Sequence, residues 1–110
     1  MLRIVTRTAG DIIILDAEGR VTVSDGTCTQ LRTAFRAAAN WSPKILVNLE
    51  HVTYIDSSGI GELVTATTGR GRQVKILHPN EYLKKLLKVS KLDRCLDIHF
   101  NEEAALNSFK

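Results

Sequence analysis

Two adjacent serines, Ser57 and Ser58, flanked by Asp56 and Glu62 and followed by Gly59 and Gly61, are the residues of this 110-residue chain best placed to do chemistry. A serine hydroxyl at the start of a helix can serve as a nucleophile, as a helix cap or as an acceptor of phosphate. The nucleophile reading fails on spacing. A nucleophile elbow needs glycine two residues before and two after the serine; Ser58 has Asp56 and Ile60 there, and Ser57 has Ile55 and Gly59. Asp56 and Glu62 read as a cap and a first-turn dipole partner rather than as a general acid and base. Gly59-Ile60-Gly61 lacks the further glycine and the lysine of a phosphate-binding loop. The two glycines instead leave the helix start open to close approach by another backbone or another protein. His51, His78 and His99 are scattered, and no His or Cys pair has zinc-like spacing, so no metal site is expected. Two roles remain open for the hydroxyls of the octet Asp56 to Leu63, that of helix caps and that of a regulatory phosphate site.

The flanking elements must hold those hydroxyls at a strand-to-helix junction. Upstream, Lys44 to Leu49 is a near-continuous apolar run, the pattern of a strand covered on both faces in a parallel sheet. Downstream, Ile60, Leu63, Val64 and Thr67 recur at i, i+3, i+4 and i+7, one buried helix face. Before this junction, Leu2 to Arg7 and Asp11 to Ala17 read as an antiparallel hairpin, its second strand ended by Gly19. Ser24 and Asp25 are candidate caps for a helix with the stripe Cys28, Leu31, Phe35 and Ala38, Ala34 alongside, ending near Asn40. After the junction come a turn at 68–72, a strand from Gln73 to His78, and a helix with Pro79 in its first turn. That helix buries Tyr82, Leu83, Leu86 and Leu87 and turns Lys84, Lys85 and Lys88 outward. Asp97 to Phe100 forms a last short strand, and Asn101 caps a closing helix with Glu102 and Glu103 in its first turn and Leu106 and Phe109 facing inward. The sum is one α/β domain over residues 1–110, with a mixed sheet of about four to six strands and about four helices.

Composition narrows the function. Aromatic residues make up 5% of the chain, too few for the stacking platforms that single-stranded nucleic acid requires. No apolar run approaches the roughly 20 residues of a membrane-spanning helix, and the N-terminus reads as a strand rather than a signal peptide, so a cytoplasmic location is expected. Cys28 and Cys95 have no redox spacing and read as small core residues, His51 and His78 as residues at strand ends. The net charge is +3, but the excess is local: residues 70–94 hold eight Lys or Arg against two acids. Such a stretch is the solvated face of a helix and loop or a docking surface for an acidic partner.

The run Tyr54-Ile55-Asp56-Ser57-Ser58-Gly59-Ile60-Gly61-Glu62-Leu63 resembles the signature of STAS domains, specifically of the bacterial anti-sigma factor antagonists. The likeness covers nearly the whole chain, strongest over Val47-Asn48-Leu49, Val52-Thr53 and the octet and continuing through Gln73 to Leu77, the Leu83 to Leu92 helix and Glu102 to Leu106. It implies that Ser58 is phosphorylated by a partner that is both an anti-sigma factor and a serine kinase. The unphosphorylated form then binds that partner and frees a sigma factor, and a serine phosphatase resets the switch. It further implies a partner-binding surface at Asp56, Ser57, Ser58, Gly59, Gly61 and Glu62. The chain would be a substrate and ligand, not an enzyme, with no cofactor of its own, since ATP and magnesium belong to the kinase. Direct nucleic-acid binding and membrane insertion are not expected. Two stretches depart from the family pattern: the segment from Ser58 to Gln73 is about one helical turn short, and Val21 to Gly26 replaces an aspartate-containing approach to the first helix. An alternative role is a constitutive scaffold or adaptor subunit of a signalling assembly or transporter, docking through the basic stretch without phosphorylation.

Overall fold

The computed structural model describes residues 2–69 and 71–109. The hairpin forms from Leu2–Ala9 (β1) and Ile12–Val21 (β2), paired from Leu2 opposite Gly19 to Ala9 opposite Ile12, with Gly10 at φ 61° making the turn. Gly19 does not end β2 as its sequence suggests. At φ 119° it absorbs a register shift against the next strand, and β2 continues to Val21.

Lys44–Ile55 (β3) lies parallel to β2 and to Gln73–Leu77 (β4), with Ile45, Leu46 and Val47 buried on both sides of the sheet. It runs past Leu49, the expected end, because Val52 and Ile55 are also buried, at intervals of three residues that the register shifts against β2 accommodate; His51 is therefore inside the strand rather than at its end. Asp97–His99 (β5) completes a five-stranded sheet in the order β1-β2-β3-β4-β5, antiparallel only at the hairpin.

Three helices bridge the parallel pairs. Thr27–Ala39 (α1), Ser57–Thr67 (α2) and Glu81–Val89 (α3) all press their apolar stripes on one sheet face, where Leu31, Phe35, Leu63, Leu83 and Leu87 meet Leu15, Val47 and Ile76. Glu102–Asn107 (α4) covers part of the opposite face, its Ala105 packed with Ile12, Ile14, Leu46 and Leu77 and flanked by Leu106 and Phe109. Arg7 ties α4 to the hairpin by bridging Glu102 (2.7 Å) and Asp16.

Several local expectations change in the structure. The start of α1 is not capped by Ser24 or Asp25: Gly26 is the N-cap at φ 73°, and the tight turn is held by Thr22 and Thr27 instead. The Thr22 N–H donates to Thr27 Oγ1 (2.7 Å) and the Thr27 N–H to the Thr22 carbonyl (3.1 Å). Pro79 precedes α3, whose cap is Asn80, accepting from the Leu83 N–H (2.8 Å) and donating from Nδ2 to the Val52 carbonyl (2.7 Å). Tyr82 leaves the buried stripe, 46% exposed, to stack on Tyr54 with ring centroids 5.6 Å apart. Cys95 is exposed because the short helical turn Leu92–Arg94 delivers Leu96 to the core instead, whereas Cys28 is buried as expected. Of the turn at 68–72 and the basic stretch 70–94, Arg70 lies outside the described residues. No helix of the described residues is long and apolar enough to cross a membrane.

Candidate functional site

β3 ends at Ile55 and α2 begins two residues later, so Asp56 is the hinge of the junction. It sits in extended conformation as the N-cap, and both carboxylate oxygens are in use. Oδ1 accepts from the Gly59 N–H (2.9 Å) and faces the Cys28 thiol at 3.6 Å; Oδ2 accepts from the Val23 N–H (2.9 Å) on the loop after β2. One side chain therefore fixes the start of α2 to the loop before α1. The Val23 and Gly59 N–H groups, in that order, hold the Asp56 carboxyl below its ordinary range. Burial first, and then the Asp56 charge, pushes the Cys28 thiol up to about 11, so it is no nucleophile near neutral pH.

Because Asp56 takes the capping role, the serines do not. Ser57 and Ser58 are exposed on the first turn of α2, and neither hydroxyl makes a hydrogen bond among the described residues. Ser58 borders a shallow groove of about 450 Å³ between the starts of α1 and α2, shared with Val23, Thr29, Arg32, Gly61 and Glu62. Val23 is 62% exposed beside it.

The other three motif residues separate. Gly61 is exposed and has open space where a Cβ would be. Gly59, read in the sequence as open to close approach by another backbone or another protein, is buried and faces inward: an added Cβ would lie 2.5 Å from Ile55 Cγ1 and 2.8 Å from Val21 Cγ1. Its missing side chain serves the core. Glu62 lies beyond the first turn and is not the dipole partner its spacing suggested. It is instead clamped by Arg32 of α1, with Arg32 Nη2 donating to Oε2 at 2.6 Å and Nε to Oε1 at 3.2 Å, which lowers the Glu62 pKa. Nothing local in the sequence marks this pair, whose members are 30 residues apart. The sequence reading also missed a ridge beside the junction, where the Arg20 guanidinium lies 5.1 Å from the Tyr54 ring centroid and Tyr54 stacks on Tyr82. The scarcity of aromatics was the available signal, since two of six are spent here in part-exposed positions. No cluster of three or more His, Cys, Asp or Glu that could hold a metal occurs among the described residues.

Asp56→Ala is expected to cost about 1–2 kcal/mol, as loss of an N-cap does. Asp56→Asn should cost less, because its amide oxygen can still accept from Gly59 while its NH₂ cannot accept from Val23. A carboxylate whose folded pKa is depressed contributes stability that is present above its unfolded pKa of about 3.9 and lost as pH falls through the folded value. The stability gap between wild type and Asp56→Asn, measured by urea denaturation, should therefore narrow below pH ~4; a gap unchanged between pH 7 and pH 3 would refute the role given to the carboxylate.

Residues 4–98 match the family model described as the Mlab STAS domain. The chain belongs to the STAS domain family. No curated protein sequence matches this STAS domain. Its fold is shared with solved structures of low identity. An anti-sigma factor antagonist from Mycobacterium paratuberculosis superposes with a TM-score of 0.86 at 15% identity, covering 98% of this chain and 93% of that one. The anti-sigma factor antagonist SpoIIAA in its unphosphorylated form gives 0.68 at 16% identity over 97% and 96%. The phosphorylated form of SpoIIAA, a Bacillus cell fate determinant, gives 0.70 at 18% identity over 96% and 97%. The five-stranded mixed sheet, the opening hairpin and the four helices are thus those of a STAS fold.

Proposed function

We propose that this STAS domain is an anti-sigma factor antagonist controlled by phosphorylation of Ser58. Its unphosphorylated face, formed by Ser57, Ser58, Gly61 and the exposed Val23, binds an anti-sigma factor that is also a serine kinase and so frees a sigma factor for transcription. The kinase brings ATP and magnesium, phosphorylates Ser58 and is released; a serine phosphatase restores binding. The domain acts in the cytoplasm as substrate and ligand, without catalysis of its own, nucleic-acid contact or membrane insertion.

The observation that carries this reading is the division of labour at the junction. Asp56 performs the capping, which leaves the Ser58 hydroxyl exposed and, among the described residues, without a hydrogen bond at the positive end of α2. The structural neighbours add support, since SpoIIAA adopts this fold both with and without phosphate.

The test is a host-lysate pull-down with two folded baits, Ser58→Ala and Ser58→Asp, and identification of bound proteins by mass spectrometry. A kinase-like protein held by the alanine bait and absent from the aspartate bait is the expected result. The same proteins on both baits would overturn the switch and leave a constitutive STAS scaffold.

A further inference from the structure

None of the described residues of the basic stretch singled out in the sequence lines the groove beside Ser58, yet the fold gives the stretch a shape. α3 turns Leu83 and Leu87 into the core, which leaves Lys84 and Lys88, one helical turn apart, along its outer flank. Opposite them runs β5, an edge strand, followed by Phe100. Between the two lies a groove of about 330 Å³ lined by Lys84, Lys88, Asp93, Leu96, Ile98 and Phe100. Phe100 is 55% exposed and stands as one wall, with Lys84 Nζ 5.0 Å from its ring centroid. Val89, 82% exposed, extends the apolar surface along α3.

Charge selects the occupant. Lys84 is paired with Glu81 at 2.7 Å, but Lys85, Lys88, Lys91 and Arg94 form no ion pair among the described residues. Asp93 is the only acid lining the groove among the described residues. An apolar slot lined by Lys84 and the unpaired Lys88, with Lys85, Lys91 and Arg94 exposed on the same segment, is complementary to a ligand that carries carboxylates around an apolar side chain. A membrane surface fits less well. Interfacial binding needs a helix whose apolar face is free to enter the lipid, and the apolar face of α3 is occupied by the core.

We propose that the groove between α3 and β5 binds an extended acidic peptide segment of a partner protein, one apolar side chain seated against Leu96, Ile98 and Phe100 and the carboxylates placed on Lys84 and Lys88. It is a second docking site, independent of phosphorylation at Ser58. The aromatic wall supplies the buried anchor, and the lysines supply orientation and rate of encounter.

The test is selection of a displayed library of random twelve-residue peptides on the wild-type chain, followed by fluorescence anisotropy of the enriched peptides with wild type, Lys88→Glu and Phe100→Ser. Enriched peptides should be acidic around one apolar residue, and each substitution should weaken them by about tenfold. Their affinity should also fall several-fold between 50 and 300 mM NaCl, as rim charges are screened. Both substituted side chains are exposed; if Phe100→Ser should nonetheless melt early by circular dichroism, Lys88→Glu alone decides. Enrichment of peptides poor in acids, or of peptides that bind Lys88→Glu as tightly as wild type, would overturn the proposal. So would the absence of any enriched peptide, including the case where the chain sediments with phosphatidylserine-containing vesicles, which would assign the patch to a lipid surface.

Discussion

Phosphorylation of Ser58 is expected to weaken partner binding by several hundred-fold while leaving the melting temperature of the domain within a few degrees. The two halves of that result have different causes. Within the domain, a phosphate on the second residue of α2 lies beside first-turn N–H groups and the positive end of the helix dipole, which favour an anion. The fold therefore tolerates it. At the interface the same group brings about −1.5 to −2 charges into a contact that must be desolvated. The surroundings offer little neutralisation: Asp56 is ionised two residues away, and Arg32, the cation of the adjoining groove, is already held by Glu62. A penalty of about 3–4 kcal/mol corresponds to the several hundred-fold loss. Ser58→Asp adds a single charge and a shorter side chain, so it should reproduce the direction with a smaller effect, on the order of tenfold or more. Calorimetric titration of the partner identified by pull-down, with unmodified, phosphorylated and Ser58→Asp protein, measures all three. Affinity for the phosphorylated chain within about threefold of the unmodified one would sink the switch.

The junction was legible in the sequence because its signals are local. The apolar run 44–49 and the i, i+3, i+4 repeat from Ile60 meet at Asp56, and an aspartate at such a boundary caps whatever follows. The opening hairpin and the alternation of helix and strand after it were legible for the same reason. What was not legible depends on partners distant in the chain. Gly59 and Gly61 look alike in sequence, yet one faces Ile55 and Val21 and the other open space. Glu62 has the spacing of a helix-start carboxylate, but Arg32 of α1 claims it. Tyr82 belongs to the apolar period of α3 and is drawn from it by Tyr54, 28 residues earlier. Gly19 reads as a strand terminator, and only the need to match β2 to β3 turns it into a register shift.

The two glycines of the motif should respond to alanine with opposite signs. At Gly59 the new Cβ would sit 2.5 Å from Ile55 Cγ1 and 2.8 Å from Val21 Cγ1, where carbon atoms prefer about 3.5–4.0 Å. Ile55 and Val21 are β-branched, fully buried and confined to few rotamers, so relief requires the end of β3 or of β2 to move. Overpacking of this kind costs about 1–3 kcal/mol, and here backbone displacement places it at the upper end. The helix propensity gained by replacing glycine offsets up to about 1 kcal/mol. A net loss of about 2 kcal/mol lowers the Tm by roughly 10 °C. At Gly61 nothing lies within 4 Å of the added atom, so the propensity gain stands alone and the Tm should rise by a few degrees. Partner affinity should move the other way: Gly61→Ala places a methyl group in the groove beside Ser58 and weakens the complex, whereas the folded fraction of Gly59→Ala binds normally. Thermal melts and titrations of the two variants separate these effects. A Gly59→Ala protein that melts at or above the wild type would show that the end of β3 yields freely, and the tight packing beneath Ser58 would then be no constraint on the switch.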